Sequence, residues 1–176
     1  MDSIDMRCSA IVFRDDTGLL VHRSRNGTDH WVLPGGTPRP GESMAACARR
    51  ETLEETGLSV DPARVAFVLE ALGPGSARRT VDLVFLAAAD GHGEPEPRES
   101  DLEARFLPLG LLPGLDVRPP LAGHLRALHA RRAEPTAAYL GNLWRPPARD
   151  GMRPRGQDMA PPAWSADGEI CPGGDR

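Results

Sequence analysis

The chain has 176 residues, 40% of them hydrophobic, 26% charged and 5% aromatic, with a formal net charge of −4. That length suits one domain with its own core, or a domain with a tail, and not two full domains; the acidic balance speaks against a dedicated nucleic-acid binder, which carries a basic footprint. All 21 basic residues are Arg, which removes every mechanism built on a lysine amine, from Schiff bases to the P-loop lysine.

In chain order, Met6 to Arg14 and Gly18 to Ser24 are short β-rich runs joined around Asp15-Asp16-Thr17-Gly18, which predicts a hairpin. Asn26-Gly27 marks a second turn, and Trp31-Val32-Leu33 runs into Pro34-Gly35-Gly36, which ends a strand. Ser43 to Thr56 reads as a helix, with Ser43 suited to the N-cap and Gly57 to the position after the last turn. Val65 to Leu72 and Thr80 to Ala88 are apolar, β-branched runs that predict buried strands, with Arg78-Arg79 in a solvated turn between them. Glu103 to Leu107 predicts a last short strand. Pro120 to Arg132 predicts a helix with Leu121, Leu125 and Leu128 on one face. His124 and His129 on that helix point about 140° apart, which argues against a shared metal. His22, His30 and His92 are left as residues able to line a pocket. One helix between two blocks of strands gives a mixed α/β class, not a repeated βαβ array.

The last 32 residues, Arg145 to Arg176, hold six Pro and five Gly. Such a segment buries too little apolar surface to offset chain entropy, so the sequence predicts a domain over 1–144 and a disordered tail over 145–176. Cys8, Cys47 and Cys171 are odd in number and far apart. They suggest neither a disulfide framework nor a zinc site and fit a reducing compartment. The first residues show no signal-peptide pattern and no apolar run reaches about 18 residues. The expectation is a soluble cytoplasmic chain with no membrane or nucleic-acid partner.

The chemistry concentrates between Gly36 and Leu58. Glu51, Glu54 and Glu55 stand at i, i+3 and i+4 of the predicted helix and share an arc of about 100°. Like charges at that spacing weaken an isolated helix, whereas a hard divalent cation such as Mg²⁺ favours oxygen ligands in this kind of cluster. Pro34-Gly35-Gly36 brings bare backbone close enough for a carbonyl to reach a metal. Glu42 and Arg50, eight residues apart, are placed to pair and to hold the loop against the helix.

Gly36, then Glu42, then Arg50-Glu51-Thr52-Leu53-Glu54-Glu55-Thr56-Gly57-Leu58 resembles the Nudix box, the 23-residue signature of the Nudix hydrolases. Trp31 to Gly36 is similar to the family's usual lead-in, and the looser resemblance spans about Met6 to Arg132. Two positions depart from the family pattern. Thr52 stands where an aliphatic residue is more common, and Arg39 stands where many members have Glu.

The resemblance implies an α/β/α fold with a mixed sheet sandwiched between helices. It also implies Mg²⁺- or Mn²⁺-dependent cleavage of a diphosphate linked to another moiety. Carried onto this chain, Glu51, Glu54 and Glu55 would hold the metal together with the carbonyl of Gly35 or Gly36, the latter being preferred. Glu42 and Arg50 would support the site. The general base would be a box carboxylate, Glu54 or Glu55, or a downstream one, Glu99 or Glu103, of which Glu103 is favoured because it precedes a strand-like run. Arg23 is the candidate phosphate contact, and Arg39 adds an anion-binding group. The substrate would be a small diphosphate such as ADP-ribose, a nucleotide sugar or an (oxidised) nucleoside triphosphate, and homodimers are frequent among such proteins. The competing expectation is a catalytically silent nucleotide-sensing module of the same fold, which the retained box carboxylates argue against.

Overall fold

The computed structural model describes residues 3–25, 28–74, 76–97, 102–131 and 138–144. Glu99, the Asn26-Gly27 turn and the 145–176 tail lie outside the described residues.

Among the described residues the fold has eight strands and two α-helices: β1 (Ser3–Arg14), β2 (Thr17–Arg25), β3 (Thr28–Val32), β4 (Gly35–Gly36), α1 (Met44–Thr56), β5 (Val60–Ala71), β6 (Arg78–Ala89), β7 (Glu103–Pro108), α2 (Ala122–Ala130) and β8 (Ala138–Asn142). The sheet runs β3-β2-β1-β6-β5-β8, with β4 added to β1 and β7 to β2. It is mixed: β1 lies parallel to β6 and β5 parallel to β8, while β5 and β6 form a long antiparallel ladder.

Alternation along β1 assigns the two helices to opposite faces of the sheet. Cys8 packs with Cys47, Ala48 and Phe85 beneath α1. Ile11, of the other parity, joins the larger core beneath α2 with Leu20, Leu69, Val84, Leu121 and Leu125. The α/β/α layering follows from this two-sided burial, which removes roughly 1.5–3 kcal/mol of apolar exposure per large side chain. No helix among the described residues is long and apolar enough to cross a membrane.

Several elements differ in extent from the sequence pattern. β5 begins at Val60 and not at Val65, running through Pro62 because register shifts at Pro62/Arg64 and Val65/Phe67 absorb the residue that cannot donate a ladder bond. β6 begins at Arg78, so Arg78 and Arg79 are strand residues, ion-paired to Asp5 and Glu70 respectively, and not a bare turn. The Gly35-Gly36 pair does not merely stop β3; it forms its own two-residue pairing with Ser9 and Cys8 of β1. α2 starts at Ala122, after a stretch holding Pro119 and Pro120, with Leu121 as an N-cap that makes no side-chain cap. β8 has no counterpart in the sequence pattern.

Candidate active site around the α1 carboxylates

The helix α1 is set by its ends. Ser43 Oγ accepts from the Ala46 N–H at 3.2 Å, and Gly57, at φ 73°, returns its N–H to Leu53 O at 2.9 Å. These contacts satisfy backbone groups that a helix otherwise leaves unpaired. Thr52, the departure from the aliphatic pattern, is fully buried and donates to Ala48 O at 2.7 Å, so its hydroxyl is satisfied inside the helix.

Between these caps the three glutamates meet three different environments. Glu55 is 3% exposed; the Gly35 N–H donates to its Oε2 at 3.0 Å, and Arg23 of β2 pairs with its Oε1. Burial pushes the Glu55 carboxyl above the usual carboxylate range, against the opposing pull of Arg23 and the Gly35 amide. Glu51 lies directly over Gly36 and accepts from Arg50 Nη1 at 2.6 Å. Glu54 accepts from Arg50 Nη1 at 3.1 Å and from Arg39 Nη2 at 3.3 Å.

Arg50 organises the loop as its spacing predicts. Its Nε and Nη2 donate to the two oxygens of Glu42 at 2.8 and 2.9 Å, and Nη2 also reaches Thr37 O at 3.3 Å. The Arg39 backbone N–H donates to Glu42 Oε2 at 2.8 Å. Paired chiefly with Arg50, the Glu42 carboxyl is held down to about 2. The fork geometry of arginine makes this bidentate clamp possible.

A cavity of about 620 Å³ opens beside these groups, lined among others by Glu51, Glu55, Gly36, Arg23, Arg7 and His30. Burial lowers the His30 pKa. Of the residues singled out in the sequence, Glu54, Arg39 and Glu103 do not line it. Glu103 instead pairs with Arg105 and stands 3.9 Å from His22, whose ring packs on Trp31. His124 packs against Phe67 and His129 against Phe13, apart from each other.

Sequence reasoning missed a polar group on the cavity's other wall. Arg7 of β1 donates from Nε to Ser9 Oγ (3.1 Å) and from Nη2 to Leu33 O (3.0 Å), and its Nε lies 3.4 Å from Asp82 Oδ2. Ser9 Oγ is 3.0 and 2.8 Å from the two Asp82 oxygens. The signal was a single carboxylate inside the apolar run Val81-Asp82-Leu83-Val84, and Arg7 and Ser9 sharing one parity of β1. On the opposite parity, Cys8 and Cys47 are buried beneath α1, and burial pushes the Cys47 thiol up to about 12, which makes it a core group.

The donor set suits a hard divalent cation. Carboxylate oxygens of Glu51, Glu54 and Glu55 and the Gly36 carbonyl offer only oxygen ligands of the kind Mg²⁺ prefers. Four carboxylates, Glu42 included, face three guanidiniums in this cluster, which leaves an excess negative charge. Among the described residues no three acidic, histidine or cysteine side chains converge on one point; the carboxylates are instead paired with arginines. A cation would take over charge now balanced by Arg23, Arg39 and Arg50.

The chain is similar in sequence and fold to known proteins. The chain is 32% identical over 111 residues to the human 8-oxo-dGDP phosphatase NUDT18, an alignment covering 63% of this chain and 32% of the relative. It is 36% identical over 109 residues to the NAD-capped RNA hydrolase NudC of Chromobacterium violaceum, covering 61% and 39%. It therefore spans about a third of the length of these curated relatives. An ADP-ribose pyrophosphatase from Streptococcus suis superposes with a TM-score of 0.59 at 25% identity, covering 77% of this chain and 98% of that one. A Nudix hydrolase from Nitrosomonas europaea shares the fold with a TM-score of 0.65 at 22% identity, over 76% and 93%. The NUDIX domain profile matches residues 5–129, a span that contains α1, the Arg50–Glu42 clamp and the cavity residues, and the chain belongs to the Nudix hydrolase family.

Proposed function

We propose that this chain is a divalent-metal-dependent diphosphohydrolase acting on a nucleoside diphosphate linked to another moiety, in the class of ADP-ribose, nucleotide sugars or (oxidised) nucleoside triphosphates. The observation that carries the reading is the Glu51–Glu55–Gly36 wall of the 620 Å³ cavity, with arginine Arg23 on the same surface. Such a cavity is large enough for a nucleotide-sized ligand.

Glu51, Glu54, Glu55 and the Gly36 carbonyl would hold Mg²⁺ or Mn²⁺, which supplies phosphate charge neutralisation and a more acidic bound water. The chain's own residues then divide the remaining work. Arg50 and Glu42 keep the loop carrying Thr37 against α1, so that Gly36 and Glu51 stay in contact. Arg23, which pairs with Glu55 at the cavity wall, would be the guanidinium that meets a substrate phosphate. Arg39, at the rim on Glu54, adds a second positive group outside the cavity. We assign proton removal to one of the two cavity carboxylates, Glu51 or Glu55, and not to Glu103, which faces His22 and Arg105.

The test is a hydrolysis panel of dNTPs, ADP-ribose, nucleotide sugars and dinucleoside polyphosphates, with and without Mg²⁺, beside Glu54→Gln. Metal-dependent turnover that drops at least a hundredfold in the variant is expected. Turnover that survives Glu54→Gln refutes the metal assignment, and silence across the panel favours the nucleotide-sensing module.

A further inference from the structure

The Arg7–Ser9–Asp82 group is more elaborate than packing requires. Asp82 is 4% exposed, and replacing a buried ion pair by apolar residues of similar volume is often neutral or stabilising. The three contacts of Arg7 use Nε and Nη2. No partner among the described residues takes Nη1, and the side chain, 29% exposed, lines the same cavity as Glu51 and Glu55. The guanidinium is thus tied at Nε and Nη2, with Nη1 left over on a side chain that lines the cavity.

We propose that Arg7 is a substrate-binding residue that reads an uncharged oxygen, a carbonyl or hydroxyl, on the moiety attached to the diphosphate. Ser9 and Asp82 are its positioning residues. The inference rests on the reading that α1 holds the diphosphate end. Charge decides the ligand class. The Asp82 carboxylate lies 3.4 Å from Arg7 Nε and offsets its charge, and it is not one of the carboxylates that a cation on α1 would engage. A phosphate therefore gains little net charge from Arg7, whereas a neutral acceptor gains the directed N–H donors at little electrostatic cost. Arg23 differs, because its carboxylate partner is one that a cation would engage.

Binding measured by calorimetry in Mg²⁺ separates the possibilities, using the full chain and three probes that differ only in the nucleoside: methylenediphosphonate, which has none, and the α,β-methylene diphosphates of adenosine and guanosine. Arg7→Ala and Arg7→Lys are expected to weaken the better-bound nucleoside probe about tenfold and methylenediphosphonate less than twofold. Asp82→Asn, which keeps a group for Ser9 but uncovers the Arg7 charge, is expected to weaken the nucleoside probe and to tighten methylenediphosphonate in a salt-sensitive way. A purely structural role predicts neither selectivity nor that reversal. Equal losses on both probes make Arg7 a phosphate anchor and overturn the proposal, as does no loss on either. A wild-type chain that binds neither nucleoside probe more tightly than methylenediphosphonate also overturns it. Thermal melts establish that each variant is folded, and if Asp82→Asn does not fold, the two Arg7 variants alone decide. Absence of turnover in the wild-type chain refutes the hydrolase reading without altering these binding results.

Discussion

Adjacent glycines at the start of the Nudix box separate folding from chemistry, and replacing each with alanine gives opposite outcomes. A methyl group on Gly35 would fall 2.6 Å from both Ser9 Cα and Ser9 Oγ and closer still to Cys8 O, in a residue at φ 157°. Backbone of β1 cannot yield without breaking the β1–β4 pairing. Overpacking of this kind costs about 1–3 kcal/mol and an unfavourable backbone conformation about 1–3 more, so about 3 kcal/mol is expected for Gly35→Ala. At about 2–4 °C per kcal/mol for a domain of this size, the melting temperature falls by about 6–12 °C. The nearest atoms to a methyl group on Gly36 belong to the carboxylate of Glu51, with Oε2 at 2.5 Å. That end of a flexible side chain can swing away, so Gly36→Ala loses about 1 kcal/mol or less. The swing displaces the Glu51 carboxylate from its place against Gly36, and a tenfold weaker cation site loses about 1.4 kcal/mol of ligand-linked stability at saturating metal. The assay is thermal unfolding of both variants with and without MgCl₂, alongside turnover. Gly35→Ala should melt low in both conditions. Gly36→Ala should melt like wild type without metal and lose about 3–6 °C of the Mg²⁺-induced rise. Equal melting of the two variants without metal, or an unchanged Mg²⁺ response in Gly36→Ala, would refute the reasoning.

Arg50→Met removes the contacts to Glu42, Glu51, Glu54 and Thr37 O and should cost about 2–3 kcal/mol in urea unfolding, with Arg50→Lys intermediate because an ammonium cannot form the bidentate clamp. The Glu42 carboxyl, held near 2 by Arg50 against an ordinary 4.5, is deprotonated in the folded chain where the unfolded chain still binds a proton. Its stabilisation is therefore present above about pH 4.5 and is lost as pH falls towards 2. The stability gap between wild type and Glu42→Gln should be constant from pH 5 to 7 and close between pH 4.5 and 2; a gap that does not narrow contradicts the assignment. Truncation after Trp144 should leave melting temperature and turnover unchanged. Truncation before Ala138 removes β8, its pairing with β5 and the two Asn142 bonds to Leu72, and should cost about 2–4 kcal/mol.

The sequence by itself determined α1 and the clustering of its three carboxylates. Ser43 and Gly57 bound the helix through contacts within four residues, and the 3.6-residue period puts Glu51, Glu54 and Glu55 on neighbouring positions whatever the rest of the chain does. The Glu42–Arg50 clamp was readable for a related reason, since a short loop entering a helix leaves little choice of partner. The apolar strand runs and the mixed α/β class were equally local. Tertiary structure alone decided which cation faces which carboxylate. Arg23 meets Glu55 across 32 residues, and Ser9 meets Asp82 across 73, because the parallel register of β1 on β6 sets Arg7 opposite Asp82. That register follows from burying both faces of the sheet at once, which no window of sequence encodes. Glu103 illustrates the same limit. Its place at the start of a strand was read correctly, but its pairing with His22 across β2 turns it from the cavity. β8 escaped notice because Ala138 to Asn142 carries no alternation of its own and is a strand only by virtue of the β5 edge it completes.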